Sequence, residues 1–106
     1  MDFWSEVAAL NGRELRTLRD KRVFQVLAVT GTSVILHLRS TDKERIVKRV
    51  EIEPAYQELR KRGTLSRTAI RDLYSERNPA YVAAILAVLP NCRYTLDPIR
   101  VWCSSK

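Results

Sequence analysis

The sequence has very little of what an enzyme or a metal site usually needs. Its 106 residues include one histidine, two cysteines and three glycines. Three scattered glycines form no glycine-rich loop, so no motif of the kind that cradles a phosphate group is present. One histidine and two cysteines match no zinc-finger spacing. We therefore predict a protein that is not an enzyme and that has no cofactor, no metal and no small-molecule substrate.

The few reactive side chains are isolated from one another in the sequence. His37 lies on the more polar face of a predicted strand, where a histidine is more often a bystander than a catalytic base. Cys92 and Cys103 form no metal or redox motif at their spacing, and in a reducing compartment we expect two small apolar residues. If their segments pair as a hairpin, the two cysteines come close together.

Long apolar runs and a leader-like start are also missing. No stretch approaches the roughly 18 apolar residues of a membrane span. The first six residues have neither the basic nor the apolar region of a signal peptide. We therefore expect a cytoplasmic protein without membrane contact. Hydrophobic residues make up 45% and charged residues 29% of the chain, and this length is typical of one globular domain, residues 1–106.

The first half of the chain, residues 1–52, has strand periodicity after a short helix. Phe3, Val7 and Leu10 share one face of that helix. Apolar and polar residues then alternate with a period of two, which predicts an antiparallel β-meander. Its strands are predicted at residues 22–30, 34–39 and 45–50, with a shorter edge strand at 14–18.

The second half, residues 53–106, has helical periodicity followed by a hairpin. Pro54 suits a first helical position and Gly63 a helix end. Ser66 caps a second helix, and Asn78 with the following proline begins a third. Residues 94–96 and 99–102 alternate as a hairpin. The prediction is an α+β fold consisting of an N-terminal helix, an antiparallel β-meander, a three-helix, helix–turn–helix-like segment and a C-terminal β-hairpin.

Positive charge is the most informative feature of the composition. The net charge is +7, and residues 54–106 contain nine basic and four acidic side chains. Such a balance attracts polyanions, above all the phosphates of nucleic acid. A helix dipole also favours cations at positions 60–62 without any ligand. The cations predicted to contact phosphate are Arg60, Lys61, Arg62, Arg67, Arg71 and Arg77.

A resemblance adds to this interpretation. The segment Arg62-Gly63-Thr64-Leu65-Ser66-Arg67, the helix start Asn78-Pro79 and a basic hairpin resemble winged helix–turn–helix DNA-binding modules over residues 53–103. The resemblance implies a third helix that lies in the major groove and a β wing that contacts the backbone. The segment is also similar to small uncharacterised prokaryotic domains that accompany restriction-type or mobile-element proteins, which implies a DNA-associated accessory role.

The third helix departs from that family pattern. Residues 79–89 contain no charged or amide side chain, whereas base readout needs arginine, lysine, asparagine or glutamine. A helix that is apolar all round is buried in a core or pressed against a partner. We therefore predict backbone contact with little base readout, DNA being favoured over RNA. The alternative is a protein-interaction module, a homodimer whose seam contains Tyr81, Ile85 and Val88.

Overall fold

The computed structural model of the protein describes residues 3–104 and has the predicted α+β architecture. The first half contains α1 (Phe3–Ala8), β1 (Glu14–Arg16), β2 (Val23–Val29), β3 (Ser33–Leu38) and β4 (Lys43–Lys48). The second half contains α2 (Arg49–Arg62), β5 (Thr64–Ser66), α3 (Arg67–Leu73), α4 (Pro79–Ala87), β6 (Cys92–Thr95) and β7 (Arg100–Cys103). The N-terminal helix, the meander, the three helices and the C-terminal hairpin are thus confirmed.

The meander is a four-stranded antiparallel sheet in the order β1-β2-β3-β4. Phe24 and Val26 on β2 and the alternate residues Val34, Leu36 and Leu38 on β3 are buried. These side chains share one face because successive residues of a strand point to opposite sides. The period-two pattern of the sequence therefore identified the buried face of β3.

The first long helix begins earlier than the sequence predicts. Pro54 was expected at the first helical position, but α2 begins at Arg49 and contains Pro54 in its interior. The backbone N–H of Lys48 donates to Oε2 of Glu51 at 2.8 Å, which satisfies a donor at the helix entrance. This cap fixes the helix start, and the proline removes only one hydrogen bond from the ladder.

The ends of the next elements agree with the sequence prediction. Gly63 adopts the left-handed conformation at φ 81° after α2, which costs a glycine little because it has no Cβ atom. The Ser66 hydroxyl accepts a hydrogen bond from the Ala69 N–H at 3.1 Å and caps α3. Between them, β5 was not predicted. Its three residues are too few to show a period, and they are ordered by pairing with β7.

One hydrophobic core joins the two halves, and α4 lies within it. Side chains of residues 82–87 on α4 are all buried. The ring of Tyr81 meets Phe24 of the meander edge to face, with centroids 5.2 Å apart. A second stacked pair, Phe3 with Tyr56 at 4.1 Å, joins α1 to α2. The apolar composition of α4 is therefore explained by packing. Within residues 3–104, no helix is long and apolar enough to cross a membrane.

The hairpin register places the two cysteines directly opposite each other. Cys92 on β6 is the partner of Cys103 on β7, and both are free thiols. The Ser104 N–H donates to the Asn91 carbonyl at 2.9 Å, whereas the Cys103 N–H points the other way, to the Gly63 carbonyl at 3.0 Å. The cysteines thus form a non-hydrogen-bonded pair, whose Cα atoms are typically about 4.5 Å apart. That separation is within the range of disulfides.

We expect diamide to oxidise this pair to a disulfide, with the two thiol hydrogens passing to the diazene. Burial and a hydrogen bond between the two thiols raise the pKa of Cys92 to about 12. Thiolate is therefore scarce at Cys92 near neutrality, and oxidation should quicken as the pH is raised. Mass spectrometry of unreduced tryptic peptides measures the cross-link. Cys92→Ser should abolish it, and its absence from the oxidised native protein would contradict the register.

Candidate nucleic-acid interface

The structure divides the six predicted phosphate-binding cations among separate places. Residues 60–62 form the last turn of α2, Arg67 begins α3, and Arg71 lies in its last turn. Arg77 lies in the turn before α4, where it borders a surface hollow together with Ile46 and Lys48. All six side chains are exposed. The six cations predicted as one cluster thus lie on α2, on α3 and in the turn before α4.

Three of these six cations contact neighbouring groups. Arg60 donates to Sγ of Cys103 at 3.5 Å and to the Ser104 carbonyl at 3.2 Å. Arg62 forms an ion pair with Glu58, and Arg71 forms one with Asp72 at 3.0 Å. Exposed ion pairs contribute only about 0–1 kcal/mol to stability. Arg62 and Arg71 are therefore able to exchange their carboxylate for a phosphate.

The other three cations, Lys61, Arg67 and Arg77, have no carboxylate within ion-pair distance in the part of the chain that the structure describes. Arg67 differs from the other two because the cavity that it borders is lined by further arginines. The same cavity is lined by Arg19 and Arg22 from the β1–β2 loop. The tertiary structure thus brings together three arginines that are separated by up to 48 positions in the sequence.

Sequence reasoning missed Arg19 and Arg22. The signal was present, because Arg19-Asp20-Lys21-Arg22 contains three cations in four residues. Residues 19–21 were interpreted only as a turn, and Arg22 as the first residue of a strand. Arg19 forms an ion pair with Asp97 in the β6–β7 hairpin at 2.8 Å, and the Lys21 ammonium donates to the Tyr94 hydroxyl at 2.6 Å. These contacts hold residues 19–22, the basic loop, against the hairpin.

The hairpin itself adds two arginines and an aromatic ring. Arg93 and Arg100 lie over the ring of Trp102, with the guanidinium carbons 5.3 Å and 5.9 Å from its centroid. The indole N–H of Trp102 donates to the Thr95 hydroxyl at 2.9 Å, which orients the ring. Cations next to an aromatic face are typical of surfaces that bind nucleic acid. The hairpin, the basic loop and Arg67 therefore extend the candidate interface.

The structure places the three residues of the predicted dimer seam in different environments. Ile85 is fully buried within the chain, whereas Val88 is 40% exposed. Tyr81 is half-buried against Phe24, and the guanidinium carbon of Arg45 lies 5.5 Å from its ring centroid. The three side chains do not share one exposed face. The meander covers the face of α4 at Tyr81.

A polar network joins the start of α2 to the turn between α3 and α4. Oε1 of Glu51 accepts from the Ser75 hydroxyl at 2.6 Å and from Nδ2 of Asn78 at 3.0 Å. The Arg45 guanidinium in turn donates to Oδ1 of Asn78 at 2.9 Å. Burial alone would raise the pKa of Glu51, but the hydrogen bonds from Ser75, Lys48 and Asn78 outweigh it and lower that pKa. The network fixes the position at which α4 begins.

Groups that suit metal or acid–base chemistry are sparse. Across residues 3–104, no three His, Cys, Asp or Glu side chains lie close enough to hold a metal ion. Nε2 of His37 is 2.7 Å from Oδ1 of Asp42 at an exposed position. That pair lies on the outside of the meander.

Comparison with known proteins gives no match, neither to a family model nor to a curated protein nor to a solved structure.

Proposed function

We propose that the protein is a small, non-catalytic module that binds the phosphate backbone of nucleic acid, duplex DNA being favoured. The order of elements in the second half supports this proposal. The winged helix–turn–helix resemblance implies a helix, a turn, two further helices and a β wing. The chain has α2, the short strand β5, α3, α4 and the β6–β7 hairpin in that order. DNA-binding modules of that class use the hairpin to contact the backbone.

The observation that supports the proposal most strongly is the surplus of positive charge without carboxylate partners. In the described chain, the cations with a carboxylate within ion-pair distance are Arg19, Arg39, Arg49, Arg62 and Arg71. The other lysines and arginines among residues 3–104 have none, and the net charge of the chain is +7. Such a surface is able to neutralise phosphates, and the release of the cations condensed on the nucleic acid drives binding.

The burial of α4 explains why the proposal excludes base readout by that helix. Side chains of residues 82–87 fill the core, so none of them reaches a base edge. The cations proposed to contact the backbone lie on the loop of residues 19–22, on α2 and α3, in the turn before α4 and on the hairpin. Contacts of this kind fix a protein on the backbone but are not sequence-specific.

Fluorescence anisotropy with labelled duplex DNA tests the proposal. We expect binding that weakens steeply as salt is raised, because each phosphate contact releases a counterion. Arg67→Ala should weaken binding about equally for unrelated sequences and lower the salt slope by about 1. Arg39→Ala is the matched control, because Arg39 follows β3 in the meander and belongs neither to the helices nor to the β1–β2 loop nor to the hairpin. We expect this control to change the slope little.

Absence of binding to duplex DNA and to RNA at low ionic strength would contradict the proposal.

The second candidate function is protein interaction, which a different observation favours. Val50 and Leu73 are each 70% exposed and Ile46 is 56% exposed, which is a high exposure for large aliphatic side chains. Light scattering on the same samples separates the two candidates. Self-association without nucleic-acid binding would favour a protein partner.

A further inference from the structure

A cavity of about 100 Å³ lies between the β1–β2 loop and α4. Arg19 and Arg22 line it from the loop, and Arg67 lines it from the start of α3. Ala80 and Ala83, which have the smallest side chains that α4 offers, form part of the opposite wall. A cavity of this volume has room for more than one water molecule. It is therefore large enough for a small polyatomic ligand.

The arginines that line the cavity project from backbone that is well fixed. Thr17, itself buried, closes the loop twice, because its hydroxyl accepts from the Arg22 N–H at 2.9 Å and its own N–H donates to the Arg22 carbonyl at 3.0 Å. On the other side, the Arg67 N–H donates to the Ile99 carbonyl at 3.1 Å. The positions from which Arg22 and Arg67 enter the cavity are thus defined before any ligand binds, which lowers the entropy cost of binding.

The charges around the cavity are unbalanced. Arg22 and Arg67 have no carboxylate within ion-pair distance among residues 3–104, and Arg19 is paired only with Asp97, whose side chain is 79% exposed. An exposed pair of this kind is weak, so Arg19 is able to turn toward an anion. The carboxylate of Asp20 also borders the cavity and opposes an anion there. The arginines nevertheless leave an excess of positive charge.

We propose that this cavity binds a single phosphate group, with Arg22 and Arg67 as the principal donors and Arg19 as a third. Guanidinium groups present forked donors that match the oxygens of a phosphate. The alanine wall leaves space for the tetrahedral group. The inference rests on the proposed function for the source of the phosphate, a nucleic-acid strand. The site would join the two halves of the fold, because the loop belongs to the meander and Arg67 to the helices.

Titration with inorganic phosphate tests the site without nucleic acid. Two-dimensional NMR of the full chain should show saturable shifts of the Ala80 and Ala83 amides that sodium chloride at matched ionic strength does not produce. Arg67→Ala should weaken this binding about tenfold to hundredfold, as expected for the loss of a charge-assisted hydrogen bond. Arg39→Ala is the control, because Arg39 follows β3 in the meander and does not line the cavity. It should leave phosphate affinity unchanged.

A second variant tests the site through an expected increase in phosphate affinity rather than a loss. Asp20→Asn removes the one carboxylate that lines the cavity and should strengthen phosphate binding severalfold. A variant that merely unfolds the protein cannot produce this result. If phosphate shifts the Ala80 and Ala83 amides no more than chloride does, both in the native protein and in Asp20→Asn, the phosphate site is wrong.

Two DNA ligands then identify the source of the phosphate. Tighter binding of a 5′-phosphorylated duplex than of its 5′-hydroxyl counterpart, lost in Arg67→Ala, would assign the site to a strand end. Equal affinities that Arg67→Ala lowers together would assign it to a phosphate within the strand. Binding of inorganic phosphate without any DNA binding would support the site and contradict the proposed function. DNA binding without any binding of inorganic phosphate beyond the effect of chloride would overturn the site and leave the function standing.

Discussion

Replacing Ile85 by alanine is expected to lower the free energy of unfolding by about 2–5 kcal/mol, the range for removing a large aliphatic side chain from a packed core. Ile85 has no exposed surface within the chain. It lies in the middle of α4, which contacts α2, α3 and strands of both sheets. The truncation therefore leaves a cavity where the two halves of the protein meet. Urea denaturation followed by circular dichroism measures the change.

Val88→Ala is the matched control for that substitution. Val88 follows α4 and is 40% exposed. Its truncation should therefore lower the free energy of unfolding by much less than the truncation of Ile85. The comparison also distinguishes a core from a dimer seam. A seam predicts that both substitutions lower the self-association of the protein and that both leave the stability of the monomer unchanged. Equal, small effects on unfolding would contradict the burial of Ile85.

The second large effect is expected at Glu51. Glu51→Ala removes the acceptor shared by Ser75 and Asn78, which are 2% and 6% exposed. Buried donors without an acceptor are costly, so we expect a loss of about 1–3 kcal/mol in the free energy of unfolding. Glu53→Ala on the same helix is the control. It breaks a partly exposed ion pair with Arg49, for which about 0–1 kcal/mol is typical. Equal losses would mean that the network does not stabilise the fold.

The same carboxylate makes stability depend on pH in a defined direction. The pKa of Glu51 is lowered in the folded chain: burial opposes its ionisation, but the hydrogen bonds from Ser75, Lys48 and Asn78 more than compensate. A lowered pKa in the folded state stabilises the protein fully above the ordinary carboxyl pKa, and this contribution is lost as the pH falls through the lowered value. Glu51→Gln should therefore flatten the acid limb of the stability profile. An unchanged acid limb would contradict this assignment.

Much of the fold follows from local patterns. Alternation identified the buried face of β3, and the sequence Asn78-Pro79 marked the start of α4, because proline is preorganised for a first helical position. Gly63 and Ser66 likewise marked a helix end and a helix start through their own backbone and side-chain chemistry. These features depend on neighbours a few residues away, so a single sequence is sufficient to predict them.

Other features depend on contacts that are distant in sequence. The start of α2 was predicted five residues late, since a proline in the interior of a helix is not expected from local preference. β5 was missed because its order comes from pairing with β7. Arg19 and Arg22 were not connected with Arg67, because nothing near them in the sequence shows that the three residues line the same cavity.

The sequence by itself determined that this chain is small, basic and α+β, and that α4 is too apolar to read bases. Composition and periodicity are local quantities, and they express charge and burial directly. The tertiary structure alone decided that α4 is enclosed by its own chain and that cations of both halves meet beside it. Side chains 48 positions apart come together only when the core closes, because burial of α4 against the meander brings the β1–β2 loop to the start of α3.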